Sequence, residues 1–462
     1  MAMALQARSV EPRMARVLYA CFIVSGAAGL IYEVIWSALL SNLVGGATTT
    51  HTVVLAAFMG GLALGNRAGG RWADTGILPL RLYAYLETAV GILGVLSPQL
   101  ADLAGALYVN LAPEPGGTLM WLDTPLRLCL AAATILPASF AMGATMPALV
   151  RACTDRLGGL GSSVGLLYFI NSAGAALGAL LTTFYIVPTF GLDLGLILAG
   201  TSNLLLALLA LGLARRVHGD KAHPASEEDE EAEQEQSNSG HQDIVVPEPA
   251  HAARIYSQPQ VRAALDAVFL SGIATMLIEL VWTRVLALTM GGSAHAFAIM
   301  LATFIAGIAI GGIVAAWVAR GDRDVMGPLM AAEAIALVSL VLLFPFYDRL
   351  PFAFHGAAAL IAPKEAAYPV YLAICTGMAI LAMLGPTIAF GATLPLASRV
   401  VTSAIGQAGR SVGGVFSTNT LGNVIGAAAG GLTLVPLIGL EWTLRVGALL
   451  VALATLRLVV VL

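Results

Sequence analysis

Two glutamates stand at matching positions in two long apolar stretches of the sequence. Glu33 lies within the segment 25–36, and Glu279 lies within the segment 271–282, which repeats the first one 246 positions later. A charged side chain in the hydrocarbon of a bilayer costs about 2.5–3.5 kcal/mol on insertion scales. Each acid is therefore expected to face a cavity or a binding partner, and this repeated pair is the first candidate for a functional site.

Aromatic and basic side chains accompany these acids. Trp36 and Trp282 each follow a glutamate by three residues, a spacing that favours neighbouring positions on a helix. A carboxylate beside an indole suits an ammonium group, because the ring face attracts cations, and a buried carboxylic acid can also carry a proton. Tyr32 belongs to the same candidate site for a substrate cation or a proton. Arg284 is included too, although it could instead neutralise Glu279 in a structural ion pair.

A second pair of acids is duplicated in the same way. Glu87 and Glu333 fall early in the third and ninth predicted membrane spans, near the expected cytoplasmic face. The arginines within reach there are Arg67, Arg71 and Arg320. We therefore predict a structural clamp between helices at the cytoplasmic loops, formed by Arg71, Asp74, Glu87 and Glu333.

Glycines recur at four-residue spacing in both copies of the repeat. The pairs are Gly61 with Gly65, Gly174 with Gly178, Gly307 with Gly311, and Gly422 with Gly426. This spacing lets helix backbones approach closely in a membrane, where packing drives association. Asn171 and Asn419 each precede one pair by three residues and can form hydrogen bonds across such a contact. The predicted role of these positions is helix packing, with gating or substrate contact as the alternative.

The composition of the chain indicates an integral membrane protein. Hydrophobic residues make up 58% of the 462 residues and charged residues only 11%, against about 25% charged residues in soluble proteins. Apolar runs of roughly 20 residues, enough to cross about 30 Å of hydrocarbon, recur along the chain. We predict an all-α polytopic membrane protein with about twelve transmembrane helices in two parallel six-helix repeats.

Four segments make up the predicted organisation. A cytoplasmic N-terminus at 1–16 precedes the first six-helix repeat at 17–213, and the second repeat occupies 263–462. The segment 214–262 between them carries an acidic run that cannot bury enough apolar surface to fold, so a disordered cytoplasmic linker is expected. Arginines cluster at the N-terminus and in alternate loops of the first repeat. By the positive-inside rule, the N-terminus and the linker face the cytoplasm of a bacterial inner membrane.

Several other functions lack their sequence signatures. His51 and His295 are not repeat equivalents and belong to no carboxylate–cysteine cluster, so no metal site is expected. The G-x-x-x-x-G-K-[ST] and G-x-G-x-x-G patterns are both absent, which argues against ATP hydrolysis. Neither a cofactor nor a nucleic-acid partner is predicted. The expected partners are the lipid bilayer, a small cationic solute and a protein partner.

The duplicated blocks resemble a known family. The run 25–65, the block 143–147 with its repeat at 391–395, and the segment 171–178 resemble the membrane domain of bacterial fused major-facilitator/spermidine-synthase-like proteins. Such proteins usually carry a cytoplasmic aminopropyltransferase-like domain after the last span. No catalytic motif of that domain occurs before Leu462. The expectation is therefore a membrane domain that lacks the soluble domain, and the residues favour the absence of aminopropyltransferase activity without deciding it.

A wider resemblance is to the major facilitator fold. That resemblance implies a central cavity lined by spans 1, 4, 7 and 10, with spans 2, 5, 8 and 11 packing the two halves together. Glu33 and Glu279 fall on spans 1 and 7, which places them among the expected cavity residues. The loop 70–76 is similar to the G-x-x-x-D signature of that superfamily, but Arg320 occupies in the second copy the position of Asp74 in the first.

Three functions are consistent with these features. The first is a secondary carrier or binder of a small cationic or amphipathic solute in the central cavity. The second is a membrane module that partners a separate aminopropyltransferase-like enzyme, and the third is a non-transporting scaffold subunit of a membrane complex. The space between Glu33 and Glu279 discriminates among them, because a carrier needs a cavity there and a scaffold predicts an interior filled by side chains.

Overall fold

A computed structural model describes most of the chain. The described residues are 12–45, 47–114, 116–219, 255–291, 293–321, 323–347, 349–359 and 367–462. Most of the expected N-terminal segment 1–16 and most of the expected linker 214–262 lie outside the described residues. Within the described ranges every regular element is helical.

The spans of the two halves are numbered in chain order. The helices of the first half are Pro12–Leu39 (span 1), Ala47–Ala73 (span 2), Pro79–Val95 with Ser97–Leu111 (span 3), Asp123–Cys153 (span 4), Leu160–Leu181 (span 5) and Val187–Gly219 (span 6). Those of the second half are Gln258–Met290 (span 7), Ala294–Val318 (span 8), Met326–Tyr347 (span 9), Tyr368–Val401 (span 10), Ala408–Ala429 (span 11) and Val435–Val459 (span 12). Two shorter helices connect spans, at Ser41–Val44 and Leu350–Ala358.

The number of membrane crossings agrees with the sequence expectation. By length and composition, the described residues contain nine helical stretches that can cross a membrane, or ten with the two helices of span 3 counted as one bent span. Two of these stretches, Leu157–Arg216 and Ile405–Val459, have 60 and 55 residues, two to three times the roughly 20 that a bilayer requires. Each therefore holds two spans, which gives twelve within the described part of the chain.

Glycines divide these two long stretches at equivalent positions. Gly191 has φ of 77° and Gly439 has φ of 78°, a left-handed conformation that residues with a Cβ rarely adopt. A π-helical turn precedes each break, at Thr182–Ile186 and at Gly430–Leu434. Because the two glycines are 248 positions apart, the duplication seen in the sequence extends to the backbone geometry.

The repeated glycine pairs lie where two helices of the same half touch. A Cβ placed at Gly174 or Gly422 would overlap the backbone carbonyl of Ile23 or Phe269, on spans 1 and 7. Gly178 and Gly426 meet the same two helices, and the pairs Gly61 with Gly65 and Gly307 with Gly311 meet spans 4 and 10. Spans 5 and 11 thus pack against spans 1 and 7, because the missing side chains let the backbones approach closely.

A different set of glycines joins the two halves. Gly70 on span 2 contacts Gly409 at the start of span 11, and Gly413 on span 11 contacts span 2 in the same way. Gly165 on span 5 contacts Gly312 on span 8. Spans 2, 5, 8 and 11 therefore pack the halves together, as the fold resemblance implied.

Contacts between the halves occur at both ends of the bundle. The Gly70 contact lies near the loop that holds Asp74, and this side of the molecule is called the Asp74 end. At the opposite end, the rings of Phe184 and His295 have centroids 4.5 Å apart. The space that remains between the halves lies between these two layers of contact.

Candidate functional site

A cavity of about 280 Å³ lies between the two halves. Its lining residues come from spans 1, 2, 4 and 5 of the first half and from spans 7, 8, 10 and 11 of the second. Among the described residues, none from spans 3, 6, 9 or 12 contributes. The fold resemblance implied a lining by spans 1, 4, 7 and 10, and the structure adds the four spans that join the halves. Each half therefore contributes four spans to one central space.

Glu33 and Glu279 both line this cavity. Glu33 is 7% exposed, and neither carboxylate forms a hydrogen bond or an ion pair with another residue in the described part of the chain. Glu279 lies near enough to Glu33 for the two charges to interact. No lysine, arginine or histidine occurs among the described lining residues. The site therefore holds two acids, one from each half, that face the cavity without a neutralising partner.

Four asparagine side chains add hydrogen-bonding groups to the cavity wall: Asn66, Asn171, Asn419 and Asn423. The Oδ1 atoms of Asn66 and Asn423 are buried and have no hydrogen-bond partner among the described residues. Nδ2 of Asn66 donates to the carbonyl oxygen of Leu62 at 2.9 Å. This bond holds the side-chain amide of Asn66 in place and leaves its Oδ1 without a partner. Because an unpaired buried acceptor costs about 1–3 kcal/mol, this wall favours a ligand with N–H donors.

The two tryptophans lie behind the cavity wall. Trp36 is fully buried and stacks on Tyr32 with ring centroids 5.2 Å apart. Trp282, also fully buried, donates its indole N–H to the hydroxyl of Tyr347 at 2.7 Å. Three residues along a helix leave two side chains about 60° apart, and spans 1 and 7 are rotated so that each acid faces the cavity while each indole packs inside its own half. The structure therefore differs from the expected pairing of acid and indole.

Phenylalanines supply the aromatic surface of the cavity instead. Phe58 and Phe304 both line it, and they meet Trp36 and Trp282 edge-on at centroid distances of 6.2 and 6.3 Å. Phe58 and Phe304 are 246 positions apart, so this aromatic pair belongs to the duplication as well. A ligand in the cavity would meet phenyl rings, with the indoles as their support.

Tyr32 and Arg284 also lie outside the cavity lining. The Tyr32 hydroxyl donates to Oδ1 of Asn203 on span 6 at 3.0 Å. Arg284 follows Glu279 by five residues, which is about 140° around a helix. In the described structure it forms no ion pair with that acid. Arg284 therefore does not neutralise Glu279, and the cavity keeps both acids without an ion-pair partner in the described structure.

Glu87 and Glu333 are buried within their own halves, away from the arginines. The hydroxyl of Ser25 donates to Glu87 at 2.7 Å, and the hydroxyl of Ser271 donates to Glu333 at 2.6 Å. Both acids are 0% exposed. The predicted contact of these acids with arginines at the cytoplasmic loops does not occur, because spans 3 and 9 turn them toward spans 1 and 7. A serine hydroxyl supplies the hydrogen bond there.

Asp74 does clamp two helices, but through other partners. Its carboxylate accepts hydrogen bonds from the backbone N–H groups of Gly409 at 3.0 Å and Arg410 at 2.7 Å, and Nε of Arg151 lies 3.8 Å away. Burial raises the pKa of Asp74, while these N–H groups and the arginines oppose that shift. Because the N-terminus of a helix attracts negative charge, Asp74 fastens span 2 to span 11 across the two halves. Arg71 is exposed and takes no part.

Sequence reasoning missed four residues that the structure brings to this region. They are Ser25, Ser271, Asn66 and Asn423. The serines open the two repeated segments, and each precedes its bonded glutamate by 62 residues, a matched spacing that is visible in the sequence. Asn66 and Asn423 each directly follow a glycine of a GxxxG pair. A polar residue next to a packing glycine in an apolar span is the signal that could have found them.

The chain is similar in sequence to curated polyamine aminopropyltransferases. It is 33% identical over 210 residues to polyamine aminopropyltransferase 2 of Streptomyces coelicolor, an alignment that covers 45% of this chain and 36% of that protein. A polyamine aminopropyltransferase of Oceanobacillus iheyensis is 24% identical over 204 residues, which cover 44% and 36% of the two chains. The chain thus spans about a third of the length of these relatives. No protein-family model matches the sequence.

The fold is that of major facilitator superfamily transporters. A bacterial homologue of the iron transporter ferroportin, in an outward-facing state, superposes with a TM-score of 0.59 at 16% identity, over 96% of this chain and 97% of that one. The proton:xylose symporter XylE gives a TM-score of 0.53 at 12% identity, over 96% and 95% of the two chains. The class is therefore an all-α membrane protein with this fold. Together with the aminopropyltransferase relatives, this fold confirms the resemblance found in the sequence.

Proposed function

We propose that this protein is a secondary carrier or binder of a small organic cation in its central cavity. The observation that supports this most strongly is that Glu33 and Glu279 face one cavity from opposite halves, with no basic residue in the described lining. Carboxylates removed from bulk water need either protons or a positive partner. A cation held between the two acids would contact both halves at once, as alternating access in a major facilitator requires.

The chemistry of the wall favours an aliphatic amine. The unpaired oxygens of Asn66, Asn423 and the two cavity glutamates are acceptors, and an ammonium group offers only donors. Leucine, methionine and phenylalanine side chains line the surface between them and suit methylene groups. A linear diamine can place one ammonium group near each acid and its methylene chain against the apolar wall. The relatives carry the name of polyamine aminopropyltransferases, which makes polyamines the first class to test.

The same proposal includes an orientation in the membrane. Arg71 and Arg151 lie at the Asp74 end of spans 2 and 4, and positive residues favour the cytoplasmic side. The Asp74 end, the N-terminus and the segment 214–262 would then face the cytoplasm. Because the relatives are bacterial, the membrane would be the bacterial inner membrane.

A second candidate function is a membrane module that works with an aminopropyltransferase-like enzyme. The sequence similarity to named aminopropyltransferases supports it. In that arrangement the cavity would bind a substrate or product of the enzyme. A scaffold without a ligand receives less support, because a filled interior was the expectation for it and the structure has a cavity with two unpaired acids.

Uptake into proteoliposomes tests the carrier proposal. The probe is radiolabelled 1,4-diaminobutane, with 1,4-butanediol as a neutral solute of similar shape. Glu33→Gln and Glu279→Gln should each abolish diamine uptake, because glutamine keeps the size of the side chain and removes its charge. Glu441→Gln, at an exposed acid on span 12 outside the cavity, is the matched control and should transport normally.

Three outcomes of this experiment separate the candidates. Unchanged diamine uptake in both Glu33→Gln and Glu279→Gln would contradict the assignment of these acids to the binding site. Diamine binding without any uptake would favour the membrane module over the carrier. Uptake of the neutral diol at the rate of the diamine would contradict a site built on charge.

A further inference from the structure

Glu333 on span 9 reaches the cavity through two hydroxyl groups. Its Oε2 accepts a hydrogen bond from the hydroxyl of Ser271 at 2.6 Å, and its Oε1 accepts one from the hydroxyl of Thr393 at 3.1 Å. Ser271 and Thr393 both line the cavity, whereas Glu333 is completely buried. A hydrogen-bonded path therefore runs from an enclosed carboxyl group to the central space.

Glu87, the equivalent acid on span 3, is connected differently. Its Oε1 accepts from Ser25, which lines the cavity, but its Oε2 accepts from Nδ2 of Asn203 at 2.6 Å. Asn203 is itself held by Tyr32, and neither of these two residues lines the cavity. An amide N–H can only donate, so Asn203 locks one oxygen of Glu87 as an acceptor.

Hydroxyl groups meet both oxygens of Glu333, whereas Glu87 meets one hydroxyl and one amide N–H. A serine or threonine hydroxyl can donate to a carboxylate or accept from a carboxylic acid. Both oxygens of Glu333 meet hydroxyls, so either oxygen can hold a proton without leaving a partner unsatisfied. The surroundings of Glu333 thus accommodate both the neutral acid and the carboxylate.

No charged side chain neutralises Glu333 in the described structure. Spans 7, 10 and 12 and the short helix Leu350–Ala358 pack against span 9. Their ionisable residues are Arg262, Asp266, Glu279, Arg284, His355, Tyr368, Tyr371, Cys375, Arg399, Glu441, Arg445 and Arg457. None of these bonds to Glu333, and on span 9 itself the other ionisable group is Tyr347, which bonds to Trp282. Because an unpaired buried charge is costly, these surroundings favour the neutral acid when no cation is bound.

We propose that Glu333 couples solute binding in the cavity to the movement of one proton, and that Glu87 has a structural role. This inference rests on the proposed function, in which a cation binds beside Glu33 and Glu279. When the cation enters, the O–H bond of Glu333 breaks and its proton passes to the oxygen of Thr393, the hydroxyl whose place beside Glu87 is taken by Asn203. In the same step that hydroxyl gives its own proton to a water molecule of the cavity, which carries it to the aqueous side. Glu333 is left as a carboxylate whose charge offsets the bound cation, and uptake of one proton reverses the step.

Accumulation driven by a pH gradient tests this assignment with a matched pair of variants, Glu333→Gln and Glu87→Gln. Labelled 1,4-diaminobutane is added outside proteoliposomes whose interior is the more acidic side, and the membrane potential is clamped with potassium and valinomycin. A gradient of about one pH unit can sustain about tenfold accumulation for each coupled proton. Glu333→Gln should lose this accumulation and still exchange labelled diamine at equal pH, whereas Glu87→Gln should keep both. Thr393→Val, which removes one link to the cavity, should lose accumulation as well.

Two results of the transport assay overturn the assignment. One is full pH-driven accumulation by Glu333→Gln. The other is equal loss of accumulation in the Glu333 and Glu87 variants while exchange at equal pH stays intact, because the two halves would then not differ.

Infrared spectroscopy tests the proton site without any solute. The protonated-carboxyl band that disappears in Glu333→Gln should change intensity with pH in the reconstituted protein, and the signal removed in Glu87→Gln should not. A Glu333 band that stays constant at every pH overturns the inference even if diamine transport is demonstrated. A titrating Glu333 band in a protein that neither binds nor carries diamine rejects the proposed function alone.

Discussion

Glu87 and Glu333 occupy the same place in the two six-helix halves, yet their second partners differ. Each acid accepts a hydrogen bond from a serine 62 residues earlier. The remaining oxygen meets the amide of Asn203 in the first half and the hydroxyl of Thr393 in the second. The shared bond holds span 3 or span 9 against its neighbour. The differing bond decides whether the second oxygen of the acid is held within the bundle by an amide or meets a hydroxyl that lines the cavity.

The same contrast recurs at the Asp74 end. Asp74 fastens span 2 to the start of span 11, whereas the equivalent residue of the second copy, Arg320, is exposed. The halves are therefore alike in how their helices pack and unlike in their polar connections. Duplication has kept the glycine contacts that build each bundle, and the polar differences allow the two bundles to do different work around one cavity.

The packing that the halves share gives the largest expected effect on stability. Gly174→Val and Gly422→Val would each press a side chain against the backbone carbonyl of Ile23 or Phe269. Overpacking costs about 1–3 kcal/mol, so both variants should unfold at clearly lower temperatures in detergent, and by similar amounts. Gly414→Val, on span 11 with open space around it, should behave as the unmodified protein. A large difference between the first two variants would show that the halves do not share this contact.

Removing the second partners of the buried acids, Asn203 and Thr393, should give the next largest effect on stability. Asn203→Val leaves Glu87 and Tyr32 each short of a buried partner, at about 1–3 kcal/mol. The equivalent residue in the second half is already Val451. This variant should be less stable and still show pH-driven uptake, whereas Thr393→Val should be nearer normal in stability and lose that uptake. Thermal unfolding and uptake measured together check this, and the reverse pattern would contradict the contrast between the halves.

The clamp at the Asp74 end should matter less. Asp74→Ala removes the acceptor for two N–H groups at the start of span 11, and loss of such a cap costs about 0.5–2 kcal/mol. Arg320→Ala, at the exposed equivalent position, should change stability by less than about 0.5 kcal/mol. Unfolding curves of the two variants measure how much the residue at the end of span 2 and the residue at the end of span 8 each contribute to the free energy of unfolding. Equal losses would mean that both copies clamp their partner helix.

The tryptophans should have the smallest effect on ligand affinity. Trp36 and Trp282 lie behind Phe58 and Phe304 and do not line the cavity. Trp36→Phe and Trp282→Phe should therefore keep diamine affinity within about 0.5 kcal/mol, or about twofold, in an equilibrium binding assay. A loss of diamine affinity as large as that in the acid variants would show that acid and indole form the binding site together.

The sequence was sufficient to predict the fold and the place of the central acids. Repeat spacing and apolar length indicated twelve helices, and the position of Glu33 and Glu279 on spans 1 and 7 predicted that they line a cavity. The partners of Glu87 and Glu333 could not be read in the same way, because each partner lies on another helix. The direction of a side chain around a span depends on how that span is rotated against its neighbours. A spacing of three residues for the tryptophans does not determine that rotation.

Isothermal titration calorimetry of the reconstituted protein with 1,4-diaminobutane tests the central claim most directly. The account predicts one diamine bound per chain, with affinity at least about tenfold weaker in Glu33→Gln or Glu279→Gln, since an unmatched buried charge costs about 2–5 kcal/mol. The double variant should show no binding heat. Binding that is undiminished in the double variant would contradict the claim that the two cavity acids hold the ligand.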